Sequence, residues 1–498
     1  MKNIIFVCLP KIETAYPSGA LAILSSVAKN NNYTVSIFDY NLDLSEILTE
    51  SEWDQFDSWN TLANEHLTDQ LEQKLKTVFI TVLADKISPH TQYVSISVFS
   101  YFSNRIAAKV LGWYKENFSI PVIIGGSGIS TDTSPNNKEI FGNFIIRQQL
   151  ADYVIFGEGE ITLDQLLKGN ANYPGINKNN PVQIENLSEL PTPTYEYFDM
   201  SKYKNKKILI TGSRGCVRSC TFCDIGLTWP RFRYRDAQHI VDEMKKHFYD
   251  YGITEFEFTD SLMNGSVSNF YRFNELLCEE KQKHPELKPI RYQGQFICRP
   301  AQQQKEKNYE LMHHAGCSML ITGIESFSNS VRTHMKKHFS NDDISYHLEQ
   351  CARWGIPNVF LMIVGYPTET QEDHQDNLAA IIKYKNYATM GTIFMIRWGF
   401  TMHLYDHTPI MDMIDELGIN MDQNIKFDSV YSWSSLTNPG NTLRERIKRR
   451  IEIHELCVKL GYPMPRVQEE LLILKTLAEK SKELDSRPQR KILLTHTT

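Results

Sequence analysis

Short apolar runs and longer segments of helical period alternate along most of this chain. In the first part Ile4–Val7, Thr34–Phe38, Val94–Phe99, Val122–Ile124 and Tyr153–Phe156 read as buried strands. Ala20–Ala28 and Ile106–Tyr114 read as amphipathic helices between them. Strands separated by helices predict parallel βαβ units and an α/β fold, with a Rossmann-like parallel sheet over residues 1–170. Two of the strands run into glycine-rich turns, Gly125-Gly126-Ser127-Gly128 and Gly157-Glu158-Gly159. Such turns lie at the carboxyl edge of an open sheet, where ligands usually bind. Residues 45–86 are polar and interrupted, and read as an insertion of helices and loop.

The alternation fades between Lys168 and Tyr203, which is rich in Asn and Pro and includes Leu190-Pro191-Thr192-Pro193. Residues 171–203 are therefore expected to be a linker. A second alternating region follows over 204–421, with strands expected at Ile208–Thr211, Glu255–Thr259, Arg291–Phe296, Met319–Thr322, Val359–Val364 and Thr392–Trp398. Helices are expected at Asp236–Tyr249, Asn269–Lys281, Asp342–Trp354 and Glu372–Tyr387. Six strand-helix units suit a partial or full parallel (β/α) barrel of the TIM type, whose active site would sit at the carboxyl ends of its strands. Residues 422–498 read as a small helical region, with helices at Thr442–Leu460 and Val467–Lys482. The basic run Arg444–Arg450 is expected to be a solvated helix face.

A chain of 498 residues exceeds what one core usually supports, so more than one domain is expected. Its 53 basic and 59 acidic residues are dispersed, which gives no specific signal for nucleic acid or for a membrane surface. The apolar run after Met1 is too short for a signal-peptide core, and no stretch is long enough to span a bilayer. Nine cysteines are too few for a disulfide scaffold in a chain of this length, and a reduced, cytoplasmic setting is expected.

Three of those cysteines lie within eight residues, Cys216-Val-Arg-Ser-Cys220-Thr-Phe-Cys223, just after the first strand of the second region. Cubane clusters commonly take four cysteine ligands, so three thiolates on one short loop leave one iron open to a substrate or cosubstrate. A zinc knuckle would usually need a second Cys or His pair, and none lies nearby. The other cysteines, Cys8, Cys278, Cys298, Cys317, Cys351 and Cys457, are scattered and read as small buried hydrophobes. Cys298 follows a strand end and could face a cavity. His313, His314 and His403 read as structural or exposed.

This spacing, with Phe222 before the last cysteine, resembles the signature of the radical S-adenosylmethionine (radical SAM) superfamily, and the resemblance runs from about Lys207 to Pro409. It implies a 4Fe-4S cluster on Cys216, Cys220 and Cys223, and chelation of S-adenosylmethionine at the open iron. The reduced cluster would cleave the sulfonium, giving a 5'-deoxyadenosyl radical, or a methyl group where a carrier is present. An external electron donor such as a flavodoxin or ferredoxin is implied as well. The resemblance further places Phe222 near the adenine, and Asp260 and Ser261 near the amino group or ribose. Gln295 and Arg299 flank the third strand end, where Arg299 could pair with the methionine carboxylate. Gly323, Glu325 and Ser326 belong to a Gly-Ile-Glu-Ser element and would bind the ribose or amino group. Gly365 opens a turn that would let backbone approach the adenine.

The first domain is similar to the cobalamin-binding domain that precedes the radical SAM domain in a large branch of the superfamily. The likeness rests on Ser18 and Gly19, Ser97, Gly125 and Gly126, and Gly157, Glu158 and Gly159, together with the Leu-Pro-Thr-Pro linker. The Asp-x-His-x-x-Gly motif that supplies a cobalt-ligating histidine elsewhere is absent. Two readings stay open: a cobalamin-dependent enzyme, implied to transfer methyl groups to an unactivated centre, or adenosyl-radical chemistry beside a degenerate first domain. A non-catalytic iron-sulfur protein for electron transfer or sensing is the rival from another class. The substrate, a small molecule or a peptide, is not legible in the sequence.

Overall fold

A computed structural model describes residues 2–10, 14–61, 66–134, 137–402, 404, 408–421, 433–464, 470–476 and 478–479. The chain divides into two compact units. Met1–Arg214, Arg233–Thr259 and Glu286–Ile290 form the first; Gly215–Phe232, Asp260–Pro285 and Arg291–Thr498 form the second. The division falls beyond the 171–203 stretch, so the linker and the first strands after it belong to the first unit.

The first unit begins β1 (Lys2–Cys8), α1 (Gly19–Asn30), β2 (Tyr33–Asp39), α2 (Tyr40–Ile47), α3 (Glu50–Asn60), α4 (Asp69–Lys86), β3 (Thr91–Ser97), α5 (Asn104–Asn117) and β4 (Val122–Gly125). A short antiparallel pair, β5 (Asp132–Ser134) and β6 (Asn137–Ile140), then precedes α6 (Phe141–Arg147), β7 (Tyr153–Ile155) and α7 (Gly159–Leu167). Five of these strands make a parallel sheet in the order β2-β1-β3-β4-β7. The interior strand β1 is apolar on both faces, with Ile4 to Val7 fully buried, as a strand covered on two sides must be. From β1 the chain first goes out to β2 and then returns to β3 on the other side. The crevice between the carboxyl ends of β1 and β3 is thus the switch point at which such sheets bind ligands.

Residues 45–86, expected as an insertion, contain the crossover that joins β2 to β3. Leu71, Leu75, Phe79 and Leu83 of α4 recur every four residues, so they form one stripe, and all four are buried in the core that covers the sheet. The polar impression came from the other faces of α4 and from α3.

The linker is also ordered. The Ser26 hydroxyl donates to the Thr192 carbonyl (2.7 Å), and the Thr194 N–H donates to the Ala22 carbonyl (3.1 Å), tying the linker along α1. At its end the Tyr203 hydroxyl donates to Asp39 Oδ2 (2.7 Å), while Asp39 Oδ1 caps α2 at the Leu42 N–H (3.0 Å). Burial raises the Asp39 carboxyl above its ordinary range. Loss of the phenolic bond in Tyr203→Phe is expected to cost about 1–2 kcal/mol. It should lower the urea midpoint of unfolding without changing the slope.

The rest of the first unit comprises β8 (Lys207–Ile210) paired in parallel with β11 (Glu255–Phe258), the antiparallel pair β9 (Ser213–Arg214) and β10 (Arg233–Tyr234), and α9 (Ala237–Tyr251).

In the second unit, α8 (Ile225–Thr228) and α10 (Val267–Lys283) precede four parallel strands: β12 (Arg291–Phe296), β13 (Cys317–Glu325), β14 (Asn358–Val364) and β15 (Ile393–Thr401). Helices α11 (Glu306–Ala315), α12 (Asn329–His334), α13 (Asn341–Trp354), α14 (Gln371–Lys383) and α15 (Lys385–Thr389) fall between them. All six expected strands of the second region therefore form, each paired in parallel. After them come β16 (Ile419–Met421), β17 (Trp433–Ser435) and α16 (Leu443–Leu460). Residues 470–476 and 478–479 are helical; the rest of the expected Val467–Lys482 helix, and His403, lie outside the described residues.

Only part of the basic run on α16 is a solvated face: Arg444 and Lys448 are exposed, and the other three arginines are buried. Arg446 is 0% exposed, and Arg449 and Arg450 are 3% exposed each. Arg446 stacks on the Trp433 ring (3.9 Å to the centroid) and donates to the Asn441 and Trp433 carbonyls. Arg449 pairs with the buried Glu369 at 2.8 Å, and Arg450 lies 3.7 Å from Glu470. Charge alone suggests solvent; the carboxylates that face Arg449 and Arg450 come from other segments, and Arg446 is held by carbonyls and an indole face.

Candidate active site

The loop Gly215–Cys223 carries the three cysteines. All three are free and partly exposed, whereas five of the other six cysteines are buried, Cys298 among them. The Arg218 N–H donates to Cys216 Sγ (3.4 Å), and a turn is closed between the last two cysteines by the Cys223 N–H donating to the Cys220 carbonyl (3.2 Å). Burial pushes the Cys223 thiol up to about 11 and raises Cys220 as well; the Lys337 ammonium opposes the rise at Cys220. Among the described residues no three His, Cys, Asp or Glu side chains converge on a point where a single ion would sit. A cubane needs no such convergence, because each thiolate binds a different iron. Three accessible sulfur donors on one loop, with cationic groups around them, fit that cofactor.

Glu325 is set beside this loop by two backbone features. The register of β13 against β14 shifts between Gly323 and Glu325, a bulge that re-aims the strand end. Glu325 itself then adopts φ 64°, in the left-handed region. Such a conformation costs a non-glycine residue of order 1–3 kcal/mol and persists where its surroundings fix it. Here the fixing contact is Lys337 Nζ, 2.9 Å from Glu325 Oε1, with both side chains nearly buried. Gly323 makes the room: a Cβ there would lie 2.7 Å from Glu325 Oε1 and 3.0 Å from Lys337 Nζ. Lys337 also stands over the Phe222 ring, 5.7 Å from its centroid. Burial works to lower the Lys337 ammonium, but the charges of Glu325, Cys220 and Cys223 outweigh it and hold its pKa above the ordinary value.

The other residues expected around S-adenosylmethionine divide. The loop with Asp260 and Ser261 is tied to the end of β12: the Met263 N–H donates to the Gln295 carbonyl (2.9 Å), and Asn264 exchanges hydrogen bonds with Ile297. Arg299 Nη2 donates to the Asn264 and Gly265 carbonyls (2.8 and 3.1 Å), and Arg299 Nε is buried with no partner. Burial and the nearby Arg218 lower the Arg299 pKa, while Cys216 raises it, so two guanidiniums share the surroundings of that thiol. This is an apt setting for a carboxylate. Gln295 is exposed, and Asp260 is buried. Ser326, by contrast, is fully buried; its hydroxyl engages Asn377 and its carbonyl accepts from Arg332. The space left by the missing side chain of Gly365 (φ 83°) is taken by Arg446, whose Cδ lies 2.0 Å from where a Cβ would be.

In the first unit, Ser97, Gly125 and Gly126 lie at the carboxyl ends of β3 and β4. Gly126 (φ 110°) lies against the Val98 backbone, and the Ser127 hydroxyl donates to the Phe99 carbonyl. Phe99 and Phe102, next to them, are 59% and 48% exposed. Two uncovered aromatic rings at a sheet edge are an apolar surface of the kind that a large flat ligand covers, so this edge fits a corrin.

Ser18 caps α1 at the Leu21 N–H, with Gly19 packed on Leu209, and Gly157 lies against Pro181. Gly159 opens α7. Glu158 is buried in a network of its own. Oε2 accepts from the Ile184 N–H (2.6 Å) and from Arg233 (2.7 Å), Oε1 accepts from Arg214, and Arg214 also pairs with Glu160. Both Glu158 oxygens are thus used to hold the linker and β9–β10 to the first sheet.

Lys337, Arg218 and Asn264 were not expected from the sequence. Lys336-Lys337 looks like a surface pair, and no local spacing links Lys337 to Glu325 twelve positions earlier.

The radical SAM superfamily matches residues 210–381. Those residues carry a radical SAM domain, the catalytic domain of enzymes that use a 4Fe-4S cluster and S-adenosylmethionine. The chain is 25% identical over 330 residues to an uncharacterized methyltransferase of Pyrococcus horikoshii, covering 62% of this chain and 67% of that one. It spans about half, or less, of the length of further curated relatives. The cobalamin-dependent S-adenosylmethionine radical enzyme OxsB, solved with aqua-cobalamin and S-adenosylmethionine, matches with a TM-score of 0.68 and 17% identity. That match covers 97% of this chain and 72% of OxsB. The radical SAM methyltransferase TsrM of Kitasatospora setae, solved with tryptophan and a SAM analogue, matches with a TM-score of 0.65 and 16% identity over 93% of this chain and 90% of TsrM. At such identities the likeness to the two structures is one of fold. No helix among the described residues is long and apolar enough to cross a membrane.

Proposed function

We propose that this protein is a cobalamin-dependent radical SAM methyltransferase acting on an unactivated centre of its substrate. The observation that carries the reading is the loop with three accessible thiols beside the Glu325–Lys337 pair, in a chain whose first sheet leaves aromatic rings uncovered at its switch-point edge. Cys216, Cys220 and Cys223 would hold the cluster. Glu325 would accept from the amino group or ribose hydroxyls of S-adenosylmethionine, and Arg299 Nε would donate to its carboxylate. Ser97, Gly125 and Gly126, with Phe99 and Phe102, would seat cobalamin. Bound there, the cluster supplies the electron that cleaves the sulfonium, and cobalamin supplies a methyl carrier. An external electron donor such as a flavodoxin or ferredoxin would deliver the electron.

Anaerobic purification and reconstitution with iron, sulfide and hydroxocobalamin test this. About four irons per chain with stoichiometric cobalt is the expected result. About four irons without cobalt, together with release of 5'-deoxyadenosine, would leave adenosyl-radical chemistry and make the first domain a scaffold.

A further inference from the structure

We propose that Tyr366 is a positioning residue for the cluster, acting through Thr221, which lies between two of the cluster cysteines; this rests on the radical SAM reading. Thr221 is fully buried, and each of its polar groups is held by a different segment. Its N–H donates to the Met335 carbonyl at the end of α12 (3.3 Å), and its carbonyl accepts from the Ile410 N–H (2.8 Å). Its hydroxyl lies 2.8 Å from the Tyr366 hydroxyl, and the two share the His334 carbonyl, at 3.3 Å from Tyr366 and 3.5 Å from Thr221.

Tyr366 is held in turn. Asn441 donates to the Tyr366 carbonyl (2.7 Å), Asn438 donates to the carbonyls of Pro367 and Glu369 (3.0 and 2.9 Å), and Arg449 pairs with Glu369. Glu369 Oε2 accepts from the Gly365 N–H (3.1 Å), and Arg446 fills the space above Gly365. The turn after β14 is thereby bound to the segment that opens α16, and among the described residues Tyr366 is its one side chain bonded to the cluster loop. A hydroxyl fixed on both sides sets where the Cys220–Cys223 backbone runs, and hence where two thiols meet the cluster. Preorganised supports of this kind raise retention of a bound group without touching it.

The test is the rate at which reconstituted holoprotein loses iron to bathophenanthroline, followed by the loss of cluster absorbance, with the melting temperature of each apoprotein measured alongside. Tyr366→Phe and Thr221→Val are each expected to lose the cluster about fivefold faster, the ratio that one ordinary hydrogen bond supports. The double variant should fall well short of the product of the two singles, because both changes remove the one bond between the two hydroxyls. Thr221→Ser, which keeps the hydroxyl, should hold iron as the wild type does. Wild-type rates in both single variants, or effects that multiply in the double, would overturn the proposal. A wild-type protein that takes up no cluster would instead overturn the radical SAM reading on which it rests.

Discussion

Cys220→Ala is expected to abolish the iron-sulfur cluster, taking reconstituted iron from about four per chain to near zero. With one of three protein thiolates gone, two corners of a cubane would lack a protein ligand, and exposed irons are lost to solvent and chelators. The same outcome is expected for Cys216→Ala and Cys223→Ala, since each thiol would serve a different iron. Cys278→Ala, outside the loop, should leave iron content unchanged. The Cys220 side chain is partly exposed and free, so its loss should not unfold the apoprotein. Circular dichroism of the two apoproteins should coincide. Full iron and sulfide content in Cys220→Ala would show that the cluster lies elsewhere.

The second large effect is expected at Lys337. Replacing it with methionine leaves the Glu325 carboxylate buried without its counter-charge, which typically costs about 3–5 kcal/mol. Glu325→Gln/Lys337→Met removes both charges and should recover most of that loss, so the two changes should be strongly non-additive in urea unfolding. The pH dependence follows from the raised Lys337 pKa. A lysine whose folded-state pKa lies above its unfolded value of about 10.4 contributes its full stability below that pH. The contribution is lost only as pH rises through the higher folded value. The difference between wild type and Lys337→Met should therefore stay flat from neutral pH to about pH 9 and shrink above it. Additive effects of the two substitutions would show that the pair does not act as a unit.

Much of this organisation is legible in the chain. Apolar runs such as Ile4–Val7 and Val359–Val364 mark strands because parallel strands are buried on both faces and need continuous apolar residues. The three cysteines are legible because their ligating loop is local, and the match of residues 210–381 to the radical SAM superfamily agrees with that reading. The α4 stripe Leu71, Leu75, Phe79 and Leu83 was present in the sequence as well, but the polar residues between its members obscured it.

Strand and helix order, the α/β class and the thiol loop are carried by short-range pattern in the chain. Which charges meet follows from how distant segments pack. Glu158 with Arg214 and Arg233, Glu325 with Lys337, and Glu369 with Arg449 are separated by 12 to 80 positions, and no periodicity encodes such pairs. Burial decided the fate of Arg446, Arg449 and Arg450, because a charge enters a core only where groups from other parts of the chain are placed to satisfy it: Glu369 for Arg449, and carbonyls with an indole ring for Arg446.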